Sequence, residues 1–336
     1  MIVKSANLNP KLFNPDLIGI NEDIEQKPSR DGYGVGLVLA GEADTRVVAL
    51  CADLTESTRT LAFAEKFPER FIEVGVAEQN LVTVAAGMAL GGKIPFTTSY
   101  ATFSPGRNWE QIRTTICYND VPVKIIGSHA GISVGPDGAT HQALEDIAIM
   151  RALPNMVVIS PTDWIEAKKA TLAIAKNNKP SYLRLSRDKV PVVTTEDTPF
   201  EIGKAEIYHE GIDVAVIACG QEVYRALLAA KQMELRKISV RVINCHTIKP
   251  LDKAAILKAA KDCGAIVTVE EHQIIGGLGG AVAEVLSQNH PVPLKIIGID
   301  DRFGESGEPN QLLKKFGLTV EAITEAITHV IRMKGK

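Results

Sequence analysis

The sequence predicts an α/β protein built from two doubly wound α/β domains. Short, apolar, β-branched segments alternate along the chain with longer segments that carry apolar residues at helical spacing. This alternation stops near residue 200 and then begins again. The chain has 336 residues, 45% of them hydrophobic, and single cores rarely grow much past about 250 residues. Two domains are therefore expected.

The first domain is expected to hold a parallel sheet with helices on both faces. The predicted buried strands are RVVALC (46–51), VPVKIIGS (121–128), NMVVISP (155–161) and SYLRLS (181–186). The predicted amphipathic helices span 77–90, 141–153 and 163–178. Helices between such strands are typical of the crossovers that parallel sheets require.

A linker separates the two domains. Residues 190–203 lose periodicity and gain Pro, Thr and acidic residues. We therefore predict an N-terminal extension over 1–22, a first domain over 23–192, a linker over 193–204 and a second domain over 205–336. The second domain's predicted strands span 213–220, 239–246, 265–271 and 293–299, and its predicted helices span 221–235 and 253–262, with a third starting at 276–280.

Composition excludes several classes of protein. The net charge is -3 with both signs interspersed, and binding to nucleic acid or an anionic membrane needs clustered Lys and Arg. The five cysteines are scattered and never spaced Cys-x-x-Cys, which favours a reducing cytoplasm over a disulfide framework or a zinc site. No signal peptide and no apolar stretch of about 18 residues is apparent. We expect no nucleic-acid or membrane partner.

Two glycine clusters and one histidine have simpler explanations than a cofactor or metal site. GYGVG (32–36) and GGLGG (276–280) do not complete Gly-x-Gly-x-x-Gly between a strand and a helix. Close helix packing or a tight turn accounts for such glycines. His272 has no second ligand at a metal-binding spacing, so we expect a structural role at a strand end and no metal site in this chain.

The segment RFIEVGVAEQNLVTVAAGMALGGKIPFTTSYATF (70–103) places Glu78 at the opening of an apolar helix that leads to Tyr100 and Phe103. Taken alone, the glutamate fits a favourable anion at a helix N-terminus, and aromatic residues three apart fit a core. A second segment, 127–163, places His129, Asp137 and His141 in one glycine-rich loop after a strand. Ligands of α/β proteins bind at that edge of a parallel sheet.

Together the strings GVAEQN, SYATF and GSHAGISVGPDGATHQ resemble the transketolase family of thiamine diphosphate enzymes. The resemblance runs from about residue 20 to the end and matches the latter half of a transketolase: the pyrimidine-binding domain, then the C-terminal domain with its mixed sheet. It implies that Glu78 hydrogen-bonds N1′ of the cofactor's aminopyrimidine and shares a proton with it. Tyr100 and Phe103 would supply a dry stacking face, and Asp53 would contact the cofactor. Gly106 stands where many relatives carry a third aromatic residue.

The resemblance also implies a sugar phosphate site. Asp137 would accept a hydrogen bond from the sugar's 2-hydroxyl, and His141 would lie beside the reacting carbonyl as a second catalytic residue. His129 would face the substrate phosphate. The remaining positions that match the family's phosphate-binding residues are Arg30, Ser57 and Arg187. Arginine suits that role because its planar fork matches phosphate oxygens.

The family's Gly-Asp-Gly motif with a downstream Asn, which binds the diphosphate through Mg²⁺, is not found in this sequence. The expected partner is therefore a separate N-terminal subunit that supplies the diphosphate site and the Mg²⁺ ligands. The expected assembly is an α2β2 heterotetramer. The expected reaction is transfer of a two-carbon ketol unit between ketose and aldose phosphates.

Three other functions remain open. A 1-deoxyxylulose-5-phosphate synthase-like enzyme shares the glutamate helix and the Asp-Gly-x-x-His loop, but it usually carries Arg where this chain has His129. The decarboxylating β subunits of 2-oxoacid dehydrogenases share the split arrangement but lack the histidine-bearing loop. A catalytically silent regulatory half-enzyme would have no need to retain all five of these residues: Glu78, Asp137, His129, His141 and Arg187.

Overall fold

Two large β-sheets organise the part of the chain that the computed structural model describes, residues 7–13 and 23–334. The strands are β1 (Gln26–Lys27), β2 (Val47–Cys51), β3 (Phe71–Glu73), β4 (Ile94–Tyr100), β5 (Lys124–Ser128), β6 (Val157–Ile159), β7 (Ser181–Arg184), β8 (Val190–Pro191), β9 (Glu206–His209), β10 (Val214–Ala218), β11 (Val240–Asn244), β12 (Thr247–Lys249), β13 (Ile266–Gln273) and β14 (Leu294–Ile299). Most of the expected N-terminal extension, residues 1–22, lies outside the described residues.

Most of the helices lie between these strands, as the alternation of segments predicts, and the last two follow β14. They are α1 (Ser29–Ala43), α2 (Leu61–Lys66), α3 (Glu78–Leu90), α4 (Trp109–Gln111), α5 (Asp146–Arg151), α6 (Trp164–Lys176), α7 (Glu222–Leu235), α8 (Lys253–Cys263), α9 (Leu278–Asn289), α10 (Pro309–Lys315) and α11 (Val320–Lys334). A π-helical segment, Ile112–Cys117, continues α4. Across residues 7–13 and 23–334, no helix is both long and apolar enough to cross a membrane.

The first sheet has seven strands in the order β12-β6-β7-β5-β4-β2-β3. Its pairs are parallel, as expected, except that β12 runs antiparallel to β6, with Thr247 opposite Ile159. Because β12 follows β11 of the second sheet in sequence, a short segment of the second half completes the sheet of the first. The two halves of the chain therefore share a sheet edge.

The second sheet has five strands in the order β14-β13-β10-β11-β9. Four of them are mutually parallel, and β9 pairs antiparallel with β11. The expected mixed sheet is therefore confirmed. Strands β10, β11 and β13 are almost entirely buried, as strands covered by helices on both faces should be.

Close helix packing explains the first glycine cluster. In α1, a Cβ at Gly32 would lie 1.8 Å from the carbonyl oxygen of Trp164 in α6, and a Cβ at Gly36 would lie 3.0 Å from that of Lys168. The two helices approach so closely that any side chain at Gly32 would overlap the backbone of α6. GYGVG is thus a packing motif of the first domain.

One predicted helix is shorter than its periodicity suggests. The segment 141–153 becomes helical only at Asp146. Before it, Ala143 forms a parallel bridge with Ala130, and the backbone N–H of Gly131 donates to the Ala143 carbonyl at 2.9 Å. Because this stretch of backbone is held to the start of the histidine-bearing loop, the helix begins only after it.

Candidate functional site

The candidate residues lie at the carboxyl edge of the first sheet. Tyr100 ends β4, His129 follows β5, and Asp53 comes two residues after β2. These three strands are parallel neighbours, so the loops that follow them emerge on the same edge. The structure therefore brings together side chains that are far apart in sequence.

Glu78 is the first residue of α3, and only 1% of its side chain is exposed. Ser99 on β4 donates its hydroxyl to Glu78 Oε1 at 3.3 Å, and Asn108 donates its amide to the Glu78 carbonyl oxygen at 2.9 Å. The position at a helix N-terminus favours the anion, and burial removes water from it. Glu78 is thus a dry, oriented carboxylate, as a proton-sharing group requires.

Arg107, which the sequence did not single out, is the cationic partner of Glu78. Its Nη1 donates to Glu78 Oε2 at 2.7 Å, while 47% of the Arg107 side chain remains exposed. The guanidinium carbon also lies 4.7 Å from the centre of the Phe103 ring. A single arginine therefore covers both the candidate catalytic carboxylate and one candidate stacking ring.

The two aromatic residues adjoin the histidines. The Tyr100 ring stacks on His129 with centroids 3.9 Å apart, and the Phe103 ring meets His141 edge-on at 5.3 Å. Tyr100 and Phe103 are 6.1 Å apart. Rings at these distances pack against one another and link the candidate cofactor residues to the candidate substrate residues.

His129 is buried and neutral. Burial, with the nearby charge of Arg30 next in importance, lowers its pKa to about 3. Its Nε2 lies 3.1 Å from Arg30 Nη1 and its Nδ1 lies 2.9 Å from Ser128 Oγ. Because the guanidinium can only donate, Nε2 is the acceptor and Nδ1 carries the proton. The residue has a left-handed φ of 57°, which turns the chain away from the strand.

Arg30 connects His129 to the loop that carries Ser57. The same Nη1 donates to the Ser57 carbonyl oxygen at 2.7 Å, so this arginine meets the backbone of Ser57. Arg30 Nε is buried and has no acceptor among the described residues. A buried donor without a partner is costly, and an anionic ligand would satisfy it.

Arg187 and Arg59 add charge to the same place. Arg187 Nη1 donates to the Val134 carbonyl oxygen at 3.0 Å, which ties the end of β7 to the histidine-bearing loop. After burial, the charge of Arg59 is the next largest cause of the lowered pKa of Arg30, and Arg187 acts in the same direction. Sequence reasoning found Arg187 and missed Arg59.

The loop with Asp137 and His141 borders the second half of the chain. The Asp137 side chain is exposed and His141 is half-buried, with its Nδ1 2.9 Å from Thr140 Oγ1. Buried Glu271 on β13 accepts the backbone N–H of Ser133 at 2.7 Å, and Gln142 donates to the Glu305 carbonyl oxygen at 3.0 Å. The C-terminal half therefore fixes the backbone of this loop.

Asp53 lies apart from the ring and arginine contacts. It is exposed, has a left-handed φ of 59°, and its backbone N–H donates to Glu73 Oε1 at 2.7 Å. Glu73 also accepts the Thr55 hydroxyl at 3.1 Å and the Gly75 N–H at 2.9 Å. Glu73, which sequence reasoning missed, thus holds both the loop after β2 that carries Asp53 and the turn that follows β3.

Gly106 has no room for a side chain. A Cβ there would lie 2.1 Å from the carbonyl oxygen of Thr102. The third aromatic residue found in many transketolases therefore has no counterpart at this position of the backbone. The exposed face beside Phe103 is covered by Arg107 instead.

His272 and the second glycine cluster make structural contacts. His272 is fully buried on β13, where its Nε2 accepts the Ala148 N–H at 3.3 Å. Buried Glu270 accepts the N–H groups of Leu278 and Gly279 at 2.6 and 2.8 Å, and a Cβ at Gly277 would lie 2.0 Å from that carboxylate. GGLGG therefore allows a buried carboxylate to cap α9. Within residues 7–13 and 23–334, no group of three His, Cys, Asp or Glu could hold a metal ion.

Two family models match most of the chain. Residues 25–193 match the pyrimidine binding domain of transketolase, and residues 203–323 match the transketolase C-terminal domain. The interval between the two matches, residues 194–202, lies within the predicted linker over 193–204. The split between them lies where the periodic segments of the sequence are interrupted.

Known proteins of similar length support the same family. A protein described as a transketolase C-terminal section in Methanocaldococcus jannaschii is 48% identical over 304 residues, covering 90% of this chain and 95% of that protein. A 6-deoxy-6-sulfo-D-fructose transketolase subunit of Clostridium sp. (strain MSTE9) is 41% identical, covering 93% and 97%. A solved split-gene transketolase, described as an inactive beta4 tetramer, superposes with a TM-score of 0.86 at 45% identity, covering 91% and 99%. The chain belongs to the transketolase family of transferases and corresponds to its C-terminal half, the pyrimidine-binding and C-terminal domains.

Proposed function

We propose that this chain is the C-terminal subunit of a two-subunit, thiamine diphosphate-dependent transketolase. It would transfer a two-carbon ketol unit between ketose and aldose phosphates. One observation carries the proposal. A buried carboxylate, Glu78, lies at the same edge of the sheet as a cluster of arginine and histidine side chains suited to a phosphate. The relatives described as subunits or sections match this chain over nearly their whole length.

The residues present fit the aminopyrimidine of the cofactor. Glu78 offers an oriented carboxylate whose Oε1 accepts only a long bond from Ser99. Phe103 offers an aromatic ring, one face of which lies 4.7 Å from the Arg107 guanidinium. The cofactor, when bound, supplies the nucleophilic carbon and the electron sink. Glu78 would hold the shared proton at Oε1 or Oε2, and Arg107 would have to share the carboxylate or withdraw from it. Asp53 remains a proposed cofactor contact.

The residues for the substrate form two groups. The cationic group is Arg30, Arg187 and neutral His129, with the backbone of Ser57, and it would hold the terminal phosphate. The second group is Asp137 and His141, which would bind the hydroxyls near the reacting carbonyl. Phe103 and Tyr100 lie between the groups and would exclude water from the reacting atoms.

The partner subunit in this proposal carries the diphosphate site and the Mg²⁺ ligands. The cofactor would lie at the interface, with Glu78 from this chain on one side. Two copies of each subunit would form the α2β2 assembly, since closed two-fold symmetry is the commonest arrangement. The five buried, unpaired cysteines fit a reducing compartment, and we place the enzyme in the cytoplasm.

The test is reconstitution. The chain is assayed alone and mixed with the product of a neighbouring reading frame that carries the Gly-Asp-Gly motif and its downstream Asn. The assay contains thiamine diphosphate, Mg²⁺, xylulose 5-phosphate and ribose 5-phosphate. We expect ketol transfer only in the mixture. Equal activity of the chain alone would contradict the interfacial site, and a mixture without ketol transfer for any sugar phosphate donor would favour the silent regulatory half-enzyme.

A further inference from the structure

An unusual backbone conformation places Arg59 beside the cationic group of Arg30, Arg187 and His129. It follows Ser57 by two residues, and its φ of 66° lies in the left-handed region that non-glycine residues rarely adopt. A Cβ at Gly34 would lie 2.8 Å from the Arg59 carbonyl oxygen and 2.9 Å from its Cβ. The glycine in α1 therefore lets the loop bring this arginine against the helix that carries Arg30.

Asp31 holds Arg59 in place. The Arg59 Nε donates to Asp31 Oδ1 at 2.7 Å, with 40% of the Arg59 side chain and 23% of the Asp31 side chain exposed. The hydrogen bonds made within the described part of the chain leave both Nη atoms of Arg59 free. The guanidinium is thus oriented by one edge while its other donors remain available to a ligand.

The charged side chains of this cationic group and its neighbours sum to a net positive charge. The charged side chains that act most strongly on Arg30 and His129 are Arg59, Arg187 and Asp31, together with Arg30 itself. His129 adds no charge, because burial lowers its pKa to about 3. Three guanidinium groups and one carboxylate give a net charge of +2. Without Arg59 that charge would be +1.

We infer that Arg59 is a specificity-determining residue that makes the anion site prefer a dianionic phosphate over a monoanionic sulfonate at the end of the sugar. The inference deepens the proposed function and depends on it for the identity of the sugar. A phosphate monoester carries about -1.5 to -2 charges at pH 7, whereas a sulfonate carries one. Both groups are tetrahedral with three terminal oxygens, so charge discriminates between them where shape does not.

The distinction matters in this family because one relative is described as acting on a 6-deoxy-6-sulfo sugar. Coulomb energy scales with the charge of the ligand, so each added positive charge favours the dianion over the monoanion. The partial exposure of Arg59 and the ionic strength reduce this effect. We therefore expect the contribution of Arg59 to the preference to be about fivefold to tenfold.

The experiment measures anion binding directly on the full chain. Methyl phosphate and methanesulfonate are titrated at pH 8 into the chain labelled with ¹⁵N-arginine, and the arginine Nε–H resonances report the two dissociation constants. We expect the wild-type chain to bind methyl phosphate more tightly. Arg59→Gln should reduce the ratio of the two affinities about fivefold to tenfold, and Arg59→Lys should restore most of it because the charge is kept.

Arg46→Gln is the matched control, because Arg46 also pairs with an aspartate, Asp44 at 2.7 Å, but lies before β2 at the opposite edge of the sheet. It should leave the ratio unchanged. An unchanged ratio in folded Arg59→Gln, or an absence of binding by wild type, overturns the inference. Neither result depends on turnover. A chain that shows the expected ratios but no ketol transfer with its partner overturns the proposed reaction and leaves the anion preference standing.

Discussion

The carboxylate of Glu78 and the guanidinium of Arg107 form an ion pair of 2.7 Å in which the acid is buried and the base is half exposed. The acid opens α3, and the base comes from the turn between β4 and α4. This geometry lets solvent or a ligand reach the arginine while water is kept from the carboxylate. The pair therefore holds the Glu78 carboxylate in one orientation, and a proton-sharing partner would have to share that carboxylate with Arg107 or displace it.

The first prediction concerns Glu78→Gln. The amide keeps the volume of the side chain but cannot shuttle a proton, so kcat of the reconstituted enzyme should fall by about 10²-fold to 10⁴-fold. The circular dichroism spectrum and the oligomer should be unchanged. Glu69→Gln, at a glutamate whose side chain is 70% exposed, should retain full activity. Near-normal turnover of Glu78→Gln would rule out the catalytic role of this carboxylate.

The second prediction concerns the ion pair itself. Arg107→Met leaves a buried carboxylate without its cation, and we expect the free energy of unfolding to fall by about 1–2 kcal/mol, less than for a fully buried pair because Arg107 is half exposed. Denaturant titration measures this change. Arg113→Met, at an exposed arginine on the following π-helical segment, should have almost no effect.

A double-mutant cycle separates the pair from the individual side chains. If Glu78 and Arg107 stabilise each other, the double variant Glu78→Gln/Arg107→Met should be less destabilised than the sum of the two single variants. Strict additivity would mean that the 2.7 Å contact contributes nothing to stability.

The third prediction concerns Glu271, which joins the two halves of the chain. Glu271→Ala leaves the buried Ser133 N–H without its acceptor. It also removes one acceptor from the half-buried Gln221 amide, which keeps the Ser133 hydroxyl at 3.1 Å. The free energy of unfolding should fall by about 1–3 kcal/mol, and KM for the sugar phosphate should rise because the loop with Asp137 and His141 loses its support. Kinetics and denaturation of the same preparation test both effects.

Glu284→Ala is the control for that prediction. Glu284 also joins the two halves, through Arg151 at 2.6 Å, but its side chain is 60% exposed, so its loss should cost less than about 1 kcal/mol. If Glu271→Ala lowers stability but leaves KM unchanged, Glu271 does not position the substrate loop.

The fourth prediction concerns pH. Burial, with the charge of Asp163 next, raises the pKa of Glu166 from its ordinary 4.5 to about 8. Between these pH values the folded chain holds a proton that the unfolded chain has released. The contribution of Glu166 to stability is therefore largest below pH 4.5 and declines by at most about 1.4 kcal/mol per pH unit as the pH rises toward 8.

Thermal unfolding from pH 5 to pH 8 tests this sign. Glu166→Gln, which cannot titrate, should flatten the pH dependence relative to wild type. Glu196→Gln, at a glutamate whose side chain is 63% exposed, should leave the dependence unchanged. A steeper decline of stability with rising pH in Glu166→Gln would reverse the expected sign and contradict the protonated state.

Much of the fold can be predicted from the spacing of apolar residues, because each buried strand or amphipathic helix shows this spacing within its own segment of sequence. The strand predicted over 46–51 is β2, and the helix predicted over 77–90 is α3. The sequence pattern does not find β12, because its three residues, TIK, form no apolar run and its partner β6 lies in the other half of the chain. The shared sheet edge therefore depends on tertiary contacts that no local sequence pattern shows.

The candidate site also combines residues that the local sequence indicates with partners that it does not. A glutamate before an apolar helix and two histidines in a glycine-rich loop are visible as local patterns. The partners of these residues are not visible, because they are separated in sequence by 28 residues for Arg59 and Asp31, 29 for Arg107 and Glu78, and 138 for Glu271 and Ser133. Only the folded sheet edge shows which charged side chains pair.

The central claim, a cofactor site shared between two subunits, is tested most directly by thiamine diphosphate binding in the presence of Mg²⁺. Isothermal titration calorimetry is performed on this chain, on the partner subunit and on their mixture, and then on the mixture with Glu78→Gln. We predict tight binding only in the mixture, weakened by the Glu78 substitution. Binding of equal affinity to either subunit alone, with no effect of Glu78→Gln, would contradict the shared site.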